Sequence, residues 1–182
     1  MNLNPSLVPV SDHLRSKVAP IRAILSDVDG VMTDGRITYD SAGIETKQFH
    51  ARDGLAIKLW MKTGFQFGIL TARNSPIVQR RADELGIETV MQGFEQKWSA
   101  ASNAIADWNL TPDQVCYIGD DLPDLAVMKH VGLSVAPADA ASDVMAAADW
   151  VLKRDGGTGV IRELVESILR ESGRWQEHLD AL

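Results

Sequence analysis

Residues 21–35 read IRAILSDVDGVMTDG. The apolar run Ile21–Val28 has the length of one buried strand, and it ends on Asp27-Val28-Asp29-Gly30. Such a run predicts a strand that delivers two carboxylates to the edge of a sheet. The same design recurs down the chain. Phe65–Leu70 leads into Thr71, Ile87–Met91 is a third strand, and Val115–Ile118 leads into Gly119-Asp120-Asp121. Leu133–Val135 and Trp150–Leu152 are two shorter strands. Helical segments lie between them: Gly54–Thr63, a segment opened by Ser75-Pro76 and stopped at Gly86, Glu95–Trp108, a short one capped by Thr111-Pro112, Pro123–Val131 and Val160–Glu171. Strands alternating with helices predict an α/β fold, a three-layer Rossmann-like parallel sheet covered on both faces.

Two regions depart from the alternation. Arg36–Tyr39 and Glu45–Phe49 flank a turn at residues 40–43 and predict a small β-hairpin inserted after the first strand. The ends are the other departure. Residues 1–20, punctuated by Pro5, Pro9 and Pro20, read as an N-terminal extension with one short helix after Ser11, and residues 173–182 as a polar tail. The single domain is expected over residues 21–172.

Composition narrows the function classes. Eighteen basic against 25 acidic residues leave a net charge of −7, a poor basis for binding nucleic acid. One cysteine, Cys116, excludes an internal disulfide and a multi-cysteine metal site, and its apolar neighbours read it as a buried hydrophobe. No apolar run approaches the roughly 20 residues of a membrane span. The N-terminus lacks the pattern of a secretory signal. The expectation is a cytoplasmic protein.

In parallel sheets ligands sit at the carboxyl ends of the strands. The chemically suggestive residues fall there: Asp27 and Asp29 after the first strand, Thr71 after the second, Asp120, Asp121 and Asp124 after the fourth. Lys97 stands a few residues past its strand, near a helix start. Each motif alone is unremarkable, since Asp-x-Asp-Gly and Gly-Asp-Asp are ordinary turn sequences. Together, in this order, they describe a site. Converging carboxylates repel one another and call for a cation. All-oxygen ligation, with His13, His50, His130 and His178 elsewhere in the motif map, suits Mg²⁺ rather than zinc. A metal among carboxylates attracts phosphate. Thr71, Lys97 and the backbone N–H groups of the Asp29-Gly30-Val31 turn would supply its donors. One carboxylate would attack phosphorus and a second would protonate the leaving oxygen.

These motifs, Asp27 to Gly35, Leu70-Thr71-Ala72-Arg73, Lys97 and Gly119 to Asp124, resemble the four motifs of the haloacid dehalogenase superfamily of phosphatases. The chain is most similar to the small capless branch typified by 3-deoxy-D-manno-octulosonate 8-phosphate phosphatases. The similarity runs from Ile21 to the tail and includes Arg52-Asp53-Gly54 and Gly156-Gly157-Thr158-Gly159. It implies Asp27 as nucleophile and Mg²⁺ ligand. Asp29 is implied as general acid and base, with its carbonyl a second ligand. Asp120 would be the third protein ligand, with Asp121 and Asp124 steadying the metal's waters and Lys97. Thr71 and Lys97 would hold the phosphoryl oxygens, Gly54 would contact substrate, and Arg52 and Arg73 would meet the sugar-acid carboxylate. Ala72 stands where such relatives usually have Gly, and Thr158 where they often have Arg.

Only 36 residues, positions 35–70, separate Asp34 from Thr71, so no cap domain fits there. The uncovered site and the open hairpin edge predict a homotetramer whose subunits cover one another's sites, as in capless relatives. A nonulosonate 9-phosphate is the alternative sugar phosphate. Two non-enzymatic readings use similar parts. A two-component receiver places its acidic pair first and lacks a late Gly-Asp-Asp. A non-catalytic oligomerisation module would be expected to have lost Asp27 or Asp29.

Overall fold

The computed structural model describes residues 12–181. Six strands form one parallel sheet: β1 (Ala23–Ser26), β4 (Gln66–Thr71), β5 (Thr89–Gln92), β6 (Val115–Ile118), β7 (Leu133–Ala136) and β8 (Trp150–Val151). β2 (Thr38–Tyr39) and β3 (Glu45–Thr46) make a separate antiparallel hairpin, with Thr38 opposite Thr46. The sheet order is β5-β4-β1-β6-β7-β8. The chain runs outward from β1 through β4 to β5, then returns to place β6 on the other side of β1. The strand order therefore reverses between β1 and β6, where an open parallel sheet forms its ligand crevice. Ser26 pairs with Ile118 there, and the Asp27 N–H donates to the Ile118 carbonyl (3.0 Å).

Side-chain alternation along the strands builds two cores. Ile24, Phe67, Ile69, Cys116 and Ile118 face α2 (Ala51–Lys62), α3 (Pro76–Leu85) and α7 (Val160–Glu171). Ala23, Leu25, Leu70, Val115 and Tyr117 face α4 (Lys97–Asp107), α5 (Leu125–Met128) and α6 (Ser142–Ala147). The result is the three-layer α/β architecture predicted, and among the described residues the hairpin is the one insertion and there is no cap domain. Cys116 is fully buried and its thiol pKa is driven up by that burial. No helix among the described residues is long and apolar enough to cross a membrane.

Several boundaries moved. β1 is shorter than Ile21–Val28 because the Asp27 N–H makes the last bond to β6, and the Val28 carbonyl already closes the turn by accepting from the Val31 and Thr33 N–H groups (3.2 and 3.0 Å). The hairpin pairs only over two residues per strand. α6 carries little local signal, since among its six residues only Val144 is buried. The stretch read as a polar tail forms α8 (Trp175–Asp180). Trp175 is 4% exposed, and the guanidinium groups of Arg162 and Arg170 lie over its ring, 4.7 and 5.3 Å from its centre. This residue therefore packs on its own chain. At the other end, α1 (Asp12–Val18) lies against α7, with Arg15 paired to Glu171 (2.9 Å) and Lys17 to Asp149. Residues 1–11 of the N-terminal extension lie outside the described residues.

Candidate active site

The turn after β1 is built around Gly30, which adopts φ +90°. A Cβ there would stand 2.0 Å from Asp120 Oδ2, so only glycine lets the β6 loop close on the β1 loop. The late glycine loop supports the turn from beneath: the Gly157 N–H donates to the Val31 carbonyl (2.9 Å). Asp27 and Asp120 are thereby brought together across the crevice.

Asp124 organises the other side. It is completely buried, and all its acceptor positions are taken. Oδ1 accepts from Lys97 Nζ (2.6 Å) and the Tyr117 hydroxyl (2.6 Å). Oδ2 accepts from the backbone N–H groups of Asp120 (2.9 Å) and Asp121 (3.1 Å). The same Lys97 ammonium lies 2.8 Å from Asp27 Oδ2, while Asp27 Oδ1 accepts from the Val28 N–H (2.7 Å). Lys97 thus bridges the two carboxylates from a fully buried position. Burial opposes its charge, but Asp27 and Asp124 outweigh that and hold its pKa above the ordinary lysine value.

The acids carry the opposite strain. Asp27 is pushed up to about 6, first by burial and then by the charge of Asp124, with Lys97 pulling it down. Asp120 is pushed up to about 7 by burial and by the charges of Asp27, Asp124 and Asp121. Asp120 Oδ1 is buried without a hydrogen-bond partner. Carboxylate oxygens of Asp27, Asp120 and Asp124 lie within 4.8 Å of one another, the spacing of a cation site. Asp124 spends its lone pairs on four donors, so the oxygens left for a metal are those of Asp27 and Asp120. A hard divalent cation fits this set: it would satisfy the orphaned Oδ1 and cancel the repulsion.

The remaining predicted residues divide. Thr71 is buried at the end of β4, its hydroxyl accepting from the Arg73 N–H (3.2 Å) and its proton free to donate. Asp121 is exposed and caps the following 3-10 turn, accepting from the Leu122 N–H (2.8 Å). Arg73 reaches toward Asp29, with Nε 3.8 Å from Oδ2, and bonds Glu45 (2.9 Å) and the Tyr39 hydroxyl (3.1 Å) in the hairpin. Arg52 is exposed on the first turn of α2. Gly54 lies outside the cluster. It is buried in α2, where a Cβ would stand 2.3 Å from Arg81 Nη2 and 3.1 Å from Leu85 of α3, so it serves helix packing. Neighbouring Asp53 is a buried cap: it accepts from the Arg162 N–H at the start of α7 (2.7 Å), and burial raises its pKa to about 6.

The hairpin supplies residues that motif reading missed. Lys47, its side chain 1% exposed, is ion-paired with Asp29 Oδ1. Glu45 Oε2 accepts from the Ser75 hydroxyl (2.7 Å), and Oε1 takes Arg73. The Glu45-x-Lys47 spacing puts both on one face of a strand, which was the available signal. A charged pair on an exposed hairpin otherwise reads as solvated surface.

Comparison with known proteins agrees with this arrangement. Residues 88–164 match the family of haloacid dehalogenase-like hydrolases. The 3-deoxy-D-manno-octulosonate 8-phosphate phosphatase of Haemophilus influenzae is 40% identical over 161 residues, covering 88% of this chain and 89% of that one. The crystal structure of the Yersinia pestis phosphatase of that name superposes with a TM-score of 0.92 at 38% identity, covering 96% of this chain and 94% of that one. The Moraxella catarrhalis phosphatase, solved in complex with magnesium ion, phosphate ion and KDO, superposes with a TM-score of 0.91 at 33% identity, covering 94% and 98%. With relatives this similar over nearly its whole length, the chain belongs to the haloacid dehalogenase-like hydrolase family, among its phosphatases.

Proposed function

We propose that this chain hydrolyses 3-deoxy-D-manno-octulosonate 8-phosphate with Mg²⁺, through an aspartyl-phosphate on Asp27. The observation that carries the reading is the buried Asp27–Lys97–Asp124 bridge beside an unsatisfied Asp120, at the strand-order switch of the sheet. The identity to phosphatases named for this substrate supports the choice of sugar.

In this reading the phosphate is held by Thr71 and Lys97 and presented to Asp27. A carboxylate oxygen of Asp27 forms the new P–O bond as the ester P–O bond breaks. The electron pair goes to the sugar oxygen, which takes a proton from Asp29. Water then attacks the phosphoryl-aspartate, gives its proton to Asp29, and releases phosphate with Asp27 restored. Mg²⁺, held by the carboxylates of Asp27 and Asp120 and by the Asp29 carbonyl, would neutralise charge around the transferring group. Asp121 and Asp124 serve from behind these ligands, and Arg73 and Arg52 offer cations for the sugar carboxylate. The working assembly in this reading is a homotetramer, supported by the exposure of Ile37, Tyr39 and Ile44 on the hairpin (42%, 55% and 60%).

The test is phosphate release from a panel of sugar phosphates, including eight- and nine-carbon 2-keto acids, with Mg²⁺ and with chelator. The highest kcat/KM is expected for the eight-carbon substrate, and activity is expected to vanish on chelation. A preference for a nine-carbon nonulosonate 9-phosphate would replace the substrate, and full activity after exhaustive chelation would overturn the metal.

A further inference from the structure

The Asp29 carboxylate is held asymmetrically. Oδ1 faces the Lys47 ammonium, with the Thr33 hydroxyl at 3.5 Å. Oδ2 is buried and accepts no hydrogen bond; the Arg73 guanidinium faces it from 3.8 Å, too far for one. Lys47 itself is buried in a hairpin otherwise largely exposed, and Glu45 stands 3.7 Å from its ammonium. Glu45 is in turn fastened to the body of the protein through Ser75 and Arg73. A chain of contacts thus runs from the segment joining β4 to α3, through the hairpin, to one oxygen of Asp29. Burying a lysine is costly unless it is paired, and here its partner is Asp29.

We propose that Lys47 is a positioning residue for proton transfer: it pins Oδ1 of Asp29 so that Oδ2 is the atom that carries the proton to and from the reacting oxygens. The inference rests on the reading of Asp29 as general acid and base. The pairing is compatible with both states of the cycle. When Oδ2 bears a proton, Oδ1 is still a carbonyl-type acceptor for the ammonium; when the proton has gone to the leaving sugar oxygen, the same contact holds the carboxylate. Without Lys47 only the long contacts to the Thr33 hydroxyl (3.5 Å) and the Arg73 guanidinium (3.8 Å) remain, too weak to fix which oxygen faces the reacting atoms, and both oxygens compete for the proton. A misplacement of about 1 Å at such a group costs about a hundredfold in rate.

The decisive measurement is kcat/KM for two substrates of unlike leaving group, which reports the first phosphoryl transfer and not the later hydrolysis of the intermediate. A sugar phosphate expels a basic alkoxide and needs the acid. p-Nitrophenyl phosphate expels a stable phenolate and needs it little. Lys47→Met is expected to lower kcat/KM about 30-fold or more on 3-deoxy-D-manno-octulosonate 8-phosphate and less than about threefold on the aryl phosphate, with Lys47→Arg restoring most of the loss. Asp29→Asn should show the same selectivity more strongly. If Asp29→Asn is selective and Lys47→Met lowers both substrates equally, Lys47 merely anchors the hairpin and the inference fails while the role of Asp29 stands. If Asp29→Asn is itself unselective, the assignment of the acid fails and takes the inference with it. Circular dichroism checks folding; should Lys47→Met not fold, Lys47→Gln carries the same comparison.

Discussion

Changing Asp124 to Asn alters one atom at the point where the site is tied together. The carboxylate accepts four hydrogen bonds, two per oxygen, at complete burial. An amide has one acceptor oxygen and one NH₂ group. If the NH₂ replaces Oδ1, it confronts the Lys97 ammonium, another donor. If it replaces Oδ2, it confronts the N–H groups of Asp120 and Asp121. Either orientation leaves buried donors facing donors, at about 1–3 kcal/mol each, and removing one partner of a buried charge pair costs about 3–5 kcal/mol in total. Part is returned, because the negative charge of Asp124 raises the pKa of both Asp27 and Asp120. A net loss of about 3 kcal/mol remains. For a chain of this size that lowers Tm by on the order of 10 °C. The assay is thermal and urea unfolding of chelated protein at pH 7.5, with Asp120→Asn beside it. Asp120 has an unsatisfied oxygen and repulsive neighbours, so its neutralisation should stabilise the chelated protein. Turnover of Asp124→Asn should also fall about a hundredfold, as Lys97 loses its brace. An Asp124→Asn protein that melts at or above the wild-type temperature would refute the reasoning, and would make Asp124 a metal ligand like Asp120.

Three further outcomes are expected. Asp27→Asn should fold normally and lose turnover by about a thousandfold or more, roughly 4 kcal/mol of barrier; phosphate release above that level would remove Asp27 as nucleophile. Chelated protein should gain stability as the pH falls from 8 toward 5. Asp27, Asp53 and Asp120 have folded values of about 6, 6 and 7, above the unfolded value of about 3.9, so the folded state binds more protons in that window. Their stabilising protonation is complete below the unfolded value and is lost as the pH rises through the folded ones; Mg²⁺ should flatten the dependence that Asp27 and Asp120 cause, and a Tm that is constant or falling from pH 8 to 6 in chelator would contradict it. Light scattering should give a mass near four times the 19.9 kDa chain, reduced by Ile37→Asp with Ile44→Asp, whereas a wild-type mass near one chain would exclude the tetramer.

The sequence alone determined what could be read locally. Val115–Ile118 and Val160–Glu171 have the predicted ends, because a short apolar run and a strongly amphipathic helix carry their own signals. Gly86 stops α3 at φ 78°, as its position suggested. The order of the motifs sufficed to place Asp27, Thr71 and Asp120 at one sheet edge, since each follows a strand and parallel strands end on the same side. Tertiary structure decided everything that depends on distant residues meeting. Asp124 reads in sequence like Asp121, two acids three positions apart, yet one is buried with four donors and the other is exposed at a turn. Gly54 sits within an active-site-like motif but packs against Arg81. Trp175 looks like part of a loose tail, yet two arginines on α7 hold it. Lys47 is 18 residues from Asp29 in a hairpin with almost no local signal, and only the folding of that hairpin onto the sheet edge joins them. Local pattern reports which backbone a segment prefers; the environment of a charge depends on which partners the fold brings to it.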